Sequence, residues 1–492
     1  MRSVDPSSHA DTVAVIRIAP VLPRTFAGMA VIAAICAGSV VDGSASGTAA
    51  ATETQPVPHP SVSGPIPGQP ASLSAVDLRP RGYVEQEFFV EGTARAYEPV
   101  GALTEDGRWN VQTTTTAPYR TRVLVRRPKD PAKFSGTVEV EWLNVSGGLD
   151  AAPDWGLGNA ELLRSGSAWV GVSAQSVGLN SLKNDPSRYG TLDHPGDAYS
   201  YDIYSQVGEA LRHPTGTNLL GNRHYKIRRM IGDGESQSAF RMVTYVDAIQ
   251  PQTGLFDGFF VHSRFAVGAP LADGGQSAIP NPTLIRTDTK KPVLVLESET
   301  DVPRHLAARQ PDSARYRLWE VAGTAHFDED GLHALTGIPK EQMVTTPPLG
   351  CAQRINSAPQ RYVVDTAIHD IARWAAGGPA PPKAPLVTVT PGDTPTIERD
   401  ELGNARGGIR LPQLEAPVAT LSGEPGGGPG FCSLFGTTTA FDAARLSSLY
   451  PTHQSYVTAF SKATDKMQRD GFLLPVDAKE AKAEASRVAV GG

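Results

Sequence analysis

From residue 136 to residue 322 the chain repeats one pattern. A short apolar run, too brief for a helix, is followed by a polar or small-residue loop, and after some of these come apolar positions three and four apart. The runs are Gly136–Asn144, Ala168–Ala174, Arg229–Ile231, Phe256–Val261, Pro292–Leu296 and Tyr316–Val321. Ala168–Ala174 is nearly all apolar, as strands covered on both faces are, whereas Tyr316–Val321 alternates. Between and after them lie three helical stripes. One runs through Tyr201, Tyr204, Val207 and Leu211, with Asp197 expected as its cap. The second runs through Ala239, Met242, Val243, Val246 and Ile249, with Pro251 expected to stop it. The third runs through Val364, Ile368, Ile371 and Ala375, with Gly377-Gly378 beyond its end. Two earlier segments, Tyr83–Val90 and Arg120–Arg127, alternate instead and predict partly exposed strands. Strand and helix in turn predict an α/β fold built on a mostly parallel sheet.

The flanking regions differ. Residues 1–48 hold Arg17 and Arg24 before an uncharged, mostly apolar run from Phe26 to Val41, and then small residues. This reads as an export signal, with an amino-terminal anchor as the alternative. Residues 49–70, rich in Ala, Thr, Ser, Pro and Gly, read as a disordered linker. The core is expected over 71–378. The stretch 379–492, Pro- and Gly-rich to Gly430 and then a helical pair around Tyr450-Pro451, is expected to pack on that core as an extension.

Candidate chemistry sits where the strands end. Gly234-Glu235-Ser236-Gln237-Ser238 lies between an apolar run and a helical stripe and reads as a nucleophile elbow that exposes the Ser236 hydroxyl. Acyl transfer places negative charge on a carbonyl oxygen, which two backbone N–H groups can meet. Gln237 supplies one by position. The other falls to Val145 or Ser146 in the Gly-rich loop after Asn144. The run ending at Leu296 is followed by Glu297, Glu299 and Asp301; Asp301 is the first choice for the acid that orients a histidine, and Glu299 the second. His326, after the run ending at Val321, is placed to act as general base. His194 could face a substrate, but a solvated loop histidine is the plainer reading. Asn144-Val145-Ser146 matches a glycosylation acceptor, a short pattern that recurs by chance. The segment from Ser263 to Lys290 has no clear period and is expected at the entrance to the site.

The order Ser236, Asp301, His326 on alternating strands and helices resembles the α/β-hydrolase superfamily. Four motifs look like a bacterial group within it, the alpha/beta hydrolase domain proteins. They are Gly-Glu-Ser-Gln-Ser at 234–238, Trp-Leu-Asn-Val-Ser-Gly-Gly at 142–148, Ala-Gly-Thr-Ala-His at 322–326 and Cys-Ser-Leu-Phe-Gly at 432–436. The likeness runs from about residue 75 to the region of Leu474. It implies an eight-stranded, mostly parallel α/β-hydrolase core with helices on both sides, loop insertions and a carboxy-terminal extension, with Ser236 as nucleophile and His326 as base. The group has no settled substrate.

Composition narrows the remainder. A net charge of -6, with Lys and Arg scattered, gives no case for nucleic acid. No Cys/His spacing suits a metal, and no cofactor is implied. Of three cysteines, Cys36 would leave with a cleaved signal; Cys351 and Cys432 then remain as an even pair in an oxidising compartment, which suggests a disulfide, two separate buried thiols being the alternative. The expectation is a secreted or cell-envelope serine hydrolase, carboxylesterase-like, acting on a small-molecule ester without stable membrane insertion once the signal is removed. A transacylase or amidase would use the same residues. A non-catalytic binding protein on the same scaffold is the rival from another class.

Overall fold

The computed structural model of the chain describes residues 56–272 and 279–490. The expected export segment with Cys36 lies outside the described residues, as do residues 273–278 within the expected entrance segment.

Among the described residues, nine strands precede residue 323: β1 (Ser61–Ser63), β2 (Tyr83–Pro99), β3 (Val111–Pro128), β4 (Thr137–Trp142), β5 (Ala168–Val172), β6 (Arg229–Glu235), β7 (Gly258–His262), β8 (Val293–Ser298) and β9 (Tyr316–Ala322). Farther on come a small ladder of β10 (Val389–Thr390) with β11 (Thr396–Ile397), then β12 (Ile409–Arg410). Among the described residues, the main sheet has ten strands in the order β1-β2-β3-β5-β4-β6-β7-β8-β9-β12. From β5 to β12 all neighbours are parallel, and β1, β2 and β3 are added antiparallel. The resemblance implies eight strands, and the additions lie at the edges. β1 falls inside the segment whose composition reads as linker, and β12 comes from the extension. Strands of two or three residues carry too few side chains to show a period. Their neighbour's ladder bonds fix them, not their own pattern. The β2–β3 hairpin also runs well past the expected Tyr83–Val90 and Arg120–Arg127, with an irregularity between Arg95 and Tyr97 that interrupts the alternation.

Alternation along the central strands sends two sets of side chains to opposite faces. Val138, Val140, Val170, Val172, Phe259, Val261, Val293 and Val295 pack with Tyr201, Tyr204, Val207, Met242 and Val246. Ile231, Phe260, Leu294, Leu296 and Trp319 pack with Trp155, Leu162, Val364, Ile368 and Ile371. The helices that supply these partners are α1 (Pro153–Arg164), α2 (Ser200–Arg212), α3 (Gln237–Thr244) and α4 (Arg361–Ala375). Pro251 does not stop α3, the helix of the second stripe. α3 widens into a π-type turn over Tyr245–Ile249 and continues as Gln250–Thr253, with Pro251 in the first turn of that last piece, before Gly254 at φ 61° ends it. Early in a helical piece, proline's missing N–H costs little.

The extension holds α5 (Ala443–Leu449), α6 (His453–Arg469) and α7 (Pro475–Ala485). Tyr456, Phe460, Phe472 and Ala481 continue the apolar cluster of the α1/α4 face. Arg164 of α1 makes a bidentate pair with Asp477 of α7 at 2.8 and 2.9 Å. No described helix is long and apolar enough to cross a membrane.

Candidate active site

Ser236 joins β6 to α3 at φ 59°, ψ −121°, a conformation that L-residues adopt only when the surroundings impose it. Its N–H donates to the His262 carbonyl at 2.9 Å. A Cβ on Gly234 would lie 2.9 Å from the Ser238 carbonyl oxygen, so glycine is required there. Ser238 itself fits, fully buried under the turn.

After β9, Gly323 at φ 74° turns the chain so that His326 reaches back over the sheet edge. Its Nε2 lies 2.7 Å from Ser236 Oγ and its Nδ1 2.6 Å from Asp301 Oδ1. The other Asp301 oxygen accepts from Ser263 Oγ and Ser298 Oγ, both at 2.6 Å, and from the Ser298 N–H. Burial by itself would raise the Asp301 carboxyl. The charge of His326 and these hydrogen bonds outweigh it and hold Asp301 at about 2. Burial would likewise lower His326, but Asp301 and Glu235 overcome it and raise the imidazole to about 9.

Glu299 does not reach His326. It accepts from Gly323 N–H at 2.6 Å, Gly423 N–H at 3.0 Å and Arg399 Nη2 at 2.8 Å. The turn after β8 directs Asp301 to the histidine and Glu299 to the extension. The two candidates for the second N–H also separate. Ser146 N–H is taken by Asn144 Oδ1 at 2.8 Å. Among the described residues, the Val145 and Gln237 N–H groups have no acceptor. The Asn144 amide donates to the Glu235 carbonyl oxygen at 3.1 Å and so clamps this loop to the elbow strand. Buried and bonded at both ends, Asn144 is not available as a glycosylation acceptor.

Beside the elbow, Gln237 Nε2 donates to Gln175 Oε1 at 2.9 Å, which also accepts from Trp142 Nε1. Asp197 completes this network, not the cap of α2. It accepts from Gln175 Nε2, Ser176 N–H and Arg241 Nη2. His194 Nε2 lies 2.9 Å from the Ala174 carbonyl and its Nδ1 accepts from Gly196 N–H, so the ring braces its own loop.

Two neighbours of His326 were not singled out from the sequence. Phe265, at φ 52° in the segment expected at the entrance, places its ring 5.6 Å from the imidazole. Glu235 Oε1 lies 3.1 Å from His326 Nε2. The signal for Glu235 was an acid within a strand covered on both faces; for Phe265 there was none.

Cys351 and Cys432 form a disulfide across 81 positions. Met343, Ile355 and Phe435 pack around it, with Phe327, next to His326, against the cluster. Asn356 donates to both the Gly323 and Ser422 carbonyls, which ties the histidine loop to the extension. Among the described residues, no group of three or more His, Cys, Asp and Glu is placed to hold a metal ion.

The fold, with its serine elbow and histidine loop at the carboxyl edge of a parallel sheet, is that of the α/β hydrolases. The chain belongs to the alpha/beta hydrolase domain family, whose model matches residues 53–483. No curated protein matches it. Among solved structures it is similar to an α/β serine hydrolase without lid from Xanthomonas campestris (14% identity, 47% of this chain and 86% of that one, TM-score 0.27). It is also similar to a putative acetyl xylan esterase from Bacteroides fragilis (13%, 54% and 70%, TM-score 0.27). A third similar structure is a fungal esterase from Rhizomucor miehei (11%, 59% and 85%, TM-score 0.29).

Proposed function

We propose that the protein is a serine hydrolase that cleaves a carboxylic ester of a small molecule through an acyl-enzyme on Ser236. The observation that carries this reading is the continuous hydrogen-bonded line Asp301–His326–Ser236, at 2.6 and 2.7 Å, with the serine held on a strained elbow. His326 takes the Ser236 proton as Oγ attacks the ester carbonyl, and Asp301 fixes the Nδ1–H tautomer and stabilises the imidazolium. Val145 and Gln237 N–H groups receive the oxyanion. The Nε2 proton then passes to the leaving alcohol, and water deacylates the serine by the same route.

Export is part of the proposal. The apolar run after Arg24 and the Cys351–Cys432 disulfide both support an oxidising destination, secreted or in the cell envelope.

The test is hydrolysis of a graded series of p-nitrophenyl esters, together with labelling by a fluorophosphonate. Turnover and labelling that both vanish in Ser236→Ala are expected. A folded wild-type chain that neither turns over any ester nor takes the label would move the reading to a binding scaffold.

A further inference from the structure

The end of β6 delivers two consecutive side chains to one imidazole nitrogen. Ser236 Oγ lies 2.7 Å from His326 Nε2, and Glu235 Oε1 lies 3.1 Å from it. The Glu235 side chain is buried. Its Oε2 has the Asn144 amide at 3.4 Å, while Oε1 makes no hydrogen bond among the described residues. A carboxyl oxygen left without a hydrogen bond in dry protein is costly at rest. The neighbour it faces, His326, becomes fully positive when it receives the serine proton.

The geometry points to Glu235 as a further catalytic residue, a second carboxylate that stabilises the His326 imidazolium from the Nε2 side while Asp301 does so through Nδ1. This rests on the hydrolase reading above. In the acylation step the proton leaves Ser236 Oγ for Nε2, the Oγ–carbon bond forms, and the carbonyl π pair moves to oxygen. Glu235 gives and takes no proton in that step. It lowers the energy of the charge that the step creates.

The groups around Glu235 set when it is charged. Asn144 faces it from the loop after β4, and Asp154 from α1, itself 2.6 Å from His262 of β7. Glu297 and Asp301 face it from β8 and the turn beyond, and His326 from the loop after β9. Burial raises the carboxyl most, the three acids add to this and His326 opposes it, which leaves Glu235 at about 8. Below that pH it is neutral and does little; above it, it holds the imidazolium. His326, at about 9, must be neutral to act as a base, so kcat/KM of the wild type should rise on the alkaline side of pH 7.

Glu235→Gln keeps the size and the Asn144 contact but removes the charge. Its kcat/KM profile should move to lower pH by about one unit. Its plateau kcat should fall about 10-fold with KM unchanged, as for an interaction made only in the transition state. The pH dependence of fluorophosphonate labelling should shift in the same way, independently of any substrate. If Glu235→Gln does not fold, Glu235→Asp carries the decision, since it withdraws the charge by one methylene and should lower the plateau. Profiles and plateaus that superimpose on the wild type, with Ser236→Ala inactive, would overturn the role of Glu235 alone. Activity retained in Ser236→Ala would overturn the hydrolase reading itself.

Discussion

The two acids after β8 allow a test in which stability and catalysis come apart. In Asp301→Asn, the side-chain nitrogen cannot accept from His326 Nδ1–H, so the imidazole is driven to carry its proton on Nε2, toward Ser236. The expected loss is about 10⁴ in kcat, or about 5.4 kcal/mol. Stability changes too. The carboxyl is held at about 2 against an ordinary 3.8, which corresponds to roughly 2 kcal/mol of favourable interaction at neutral pH. In Glu299→Gln only one acceptor oxygen remains for donors that now use two, Gly323 N–H on one side and Gly423 N–H with Arg399 on the other. Charge-assisted hydrogen bonds are worth about 1.5–3 kcal/mol each, so roughly 2–4 kcal/mol of stability should be lost, with kcat kept within about 10-fold because the charge does not touch His326. Denaturant unfolding and steady-state kinetics on one p-nitrophenyl ester read both quantities. Similar stabilities with very different kcat are expected. A fall of more than about 10³ in kcat for Glu299→Gln, or of less than about 10-fold for Asp301→Asn, would refute the assignment.

Three further outcomes are expected. Replacing Cys351 and Cys432 by serine should cost about 4.5 kcal/mol for a loop of 81 positions in the chain-entropy picture. It should also depress kcat, since the cluster around the disulfide backs Phe327; a reducing agent acting on the wild type should reproduce the loss in denaturation midpoint. Asn144→Ala unclamps the loop that carries Val145 from the elbow strand and should reduce kcat by about 10- to 100-fold, with a smaller change in KM. Stability should also fall as pH rises. Burial first of all raises Glu235 to about 8 and Asp328 and Asp370 to about 6, and His326 is raised to about 9. Groups raised in the folded state contribute fully below their unfolded values and lose that contribution as pH passes their folded ones. The urea midpoint at pH 5 should therefore exceed that at pH 9, with each proton contributing at most about 1.4 kcal/mol per pH unit in its window.

Much of this protein is legible in the chain itself. Local backbone needs fix the elbow: only glycine fits at 234, and the strand before it and the helix after it each have their own period. Some central strands announce themselves because burial on both faces favours near-continuous apolar runs, as in β5 and β8, whereas β4 and β6 carry the buried acids Glu139, Glu141, Asp233 and Glu235. The order of serine, acid and histidine follows from the order of those strands. The tertiary structure decided what depends on direction in space. Glu299 and Asp301 are two positions apart in one polar turn, and no periodicity tells which faces the histidine; the backbone of the turn and the donors at Gly323, Gly423 and Arg399 decide it. Val145 and Ser146 are equally placed in sequence until the Asn144 side chain takes one N–H. β1 and β12 are too short to carry a pattern and exist because a neighbouring strand offers its edge. Glu235 and Phe265 acquire their places beside His326 only when β6, the loop after β7 and the loop after β9 meet at one edge of the sheet, a convergence whose outer members, Ser236 and His326, are 90 residues apart and which local propensity cannot record.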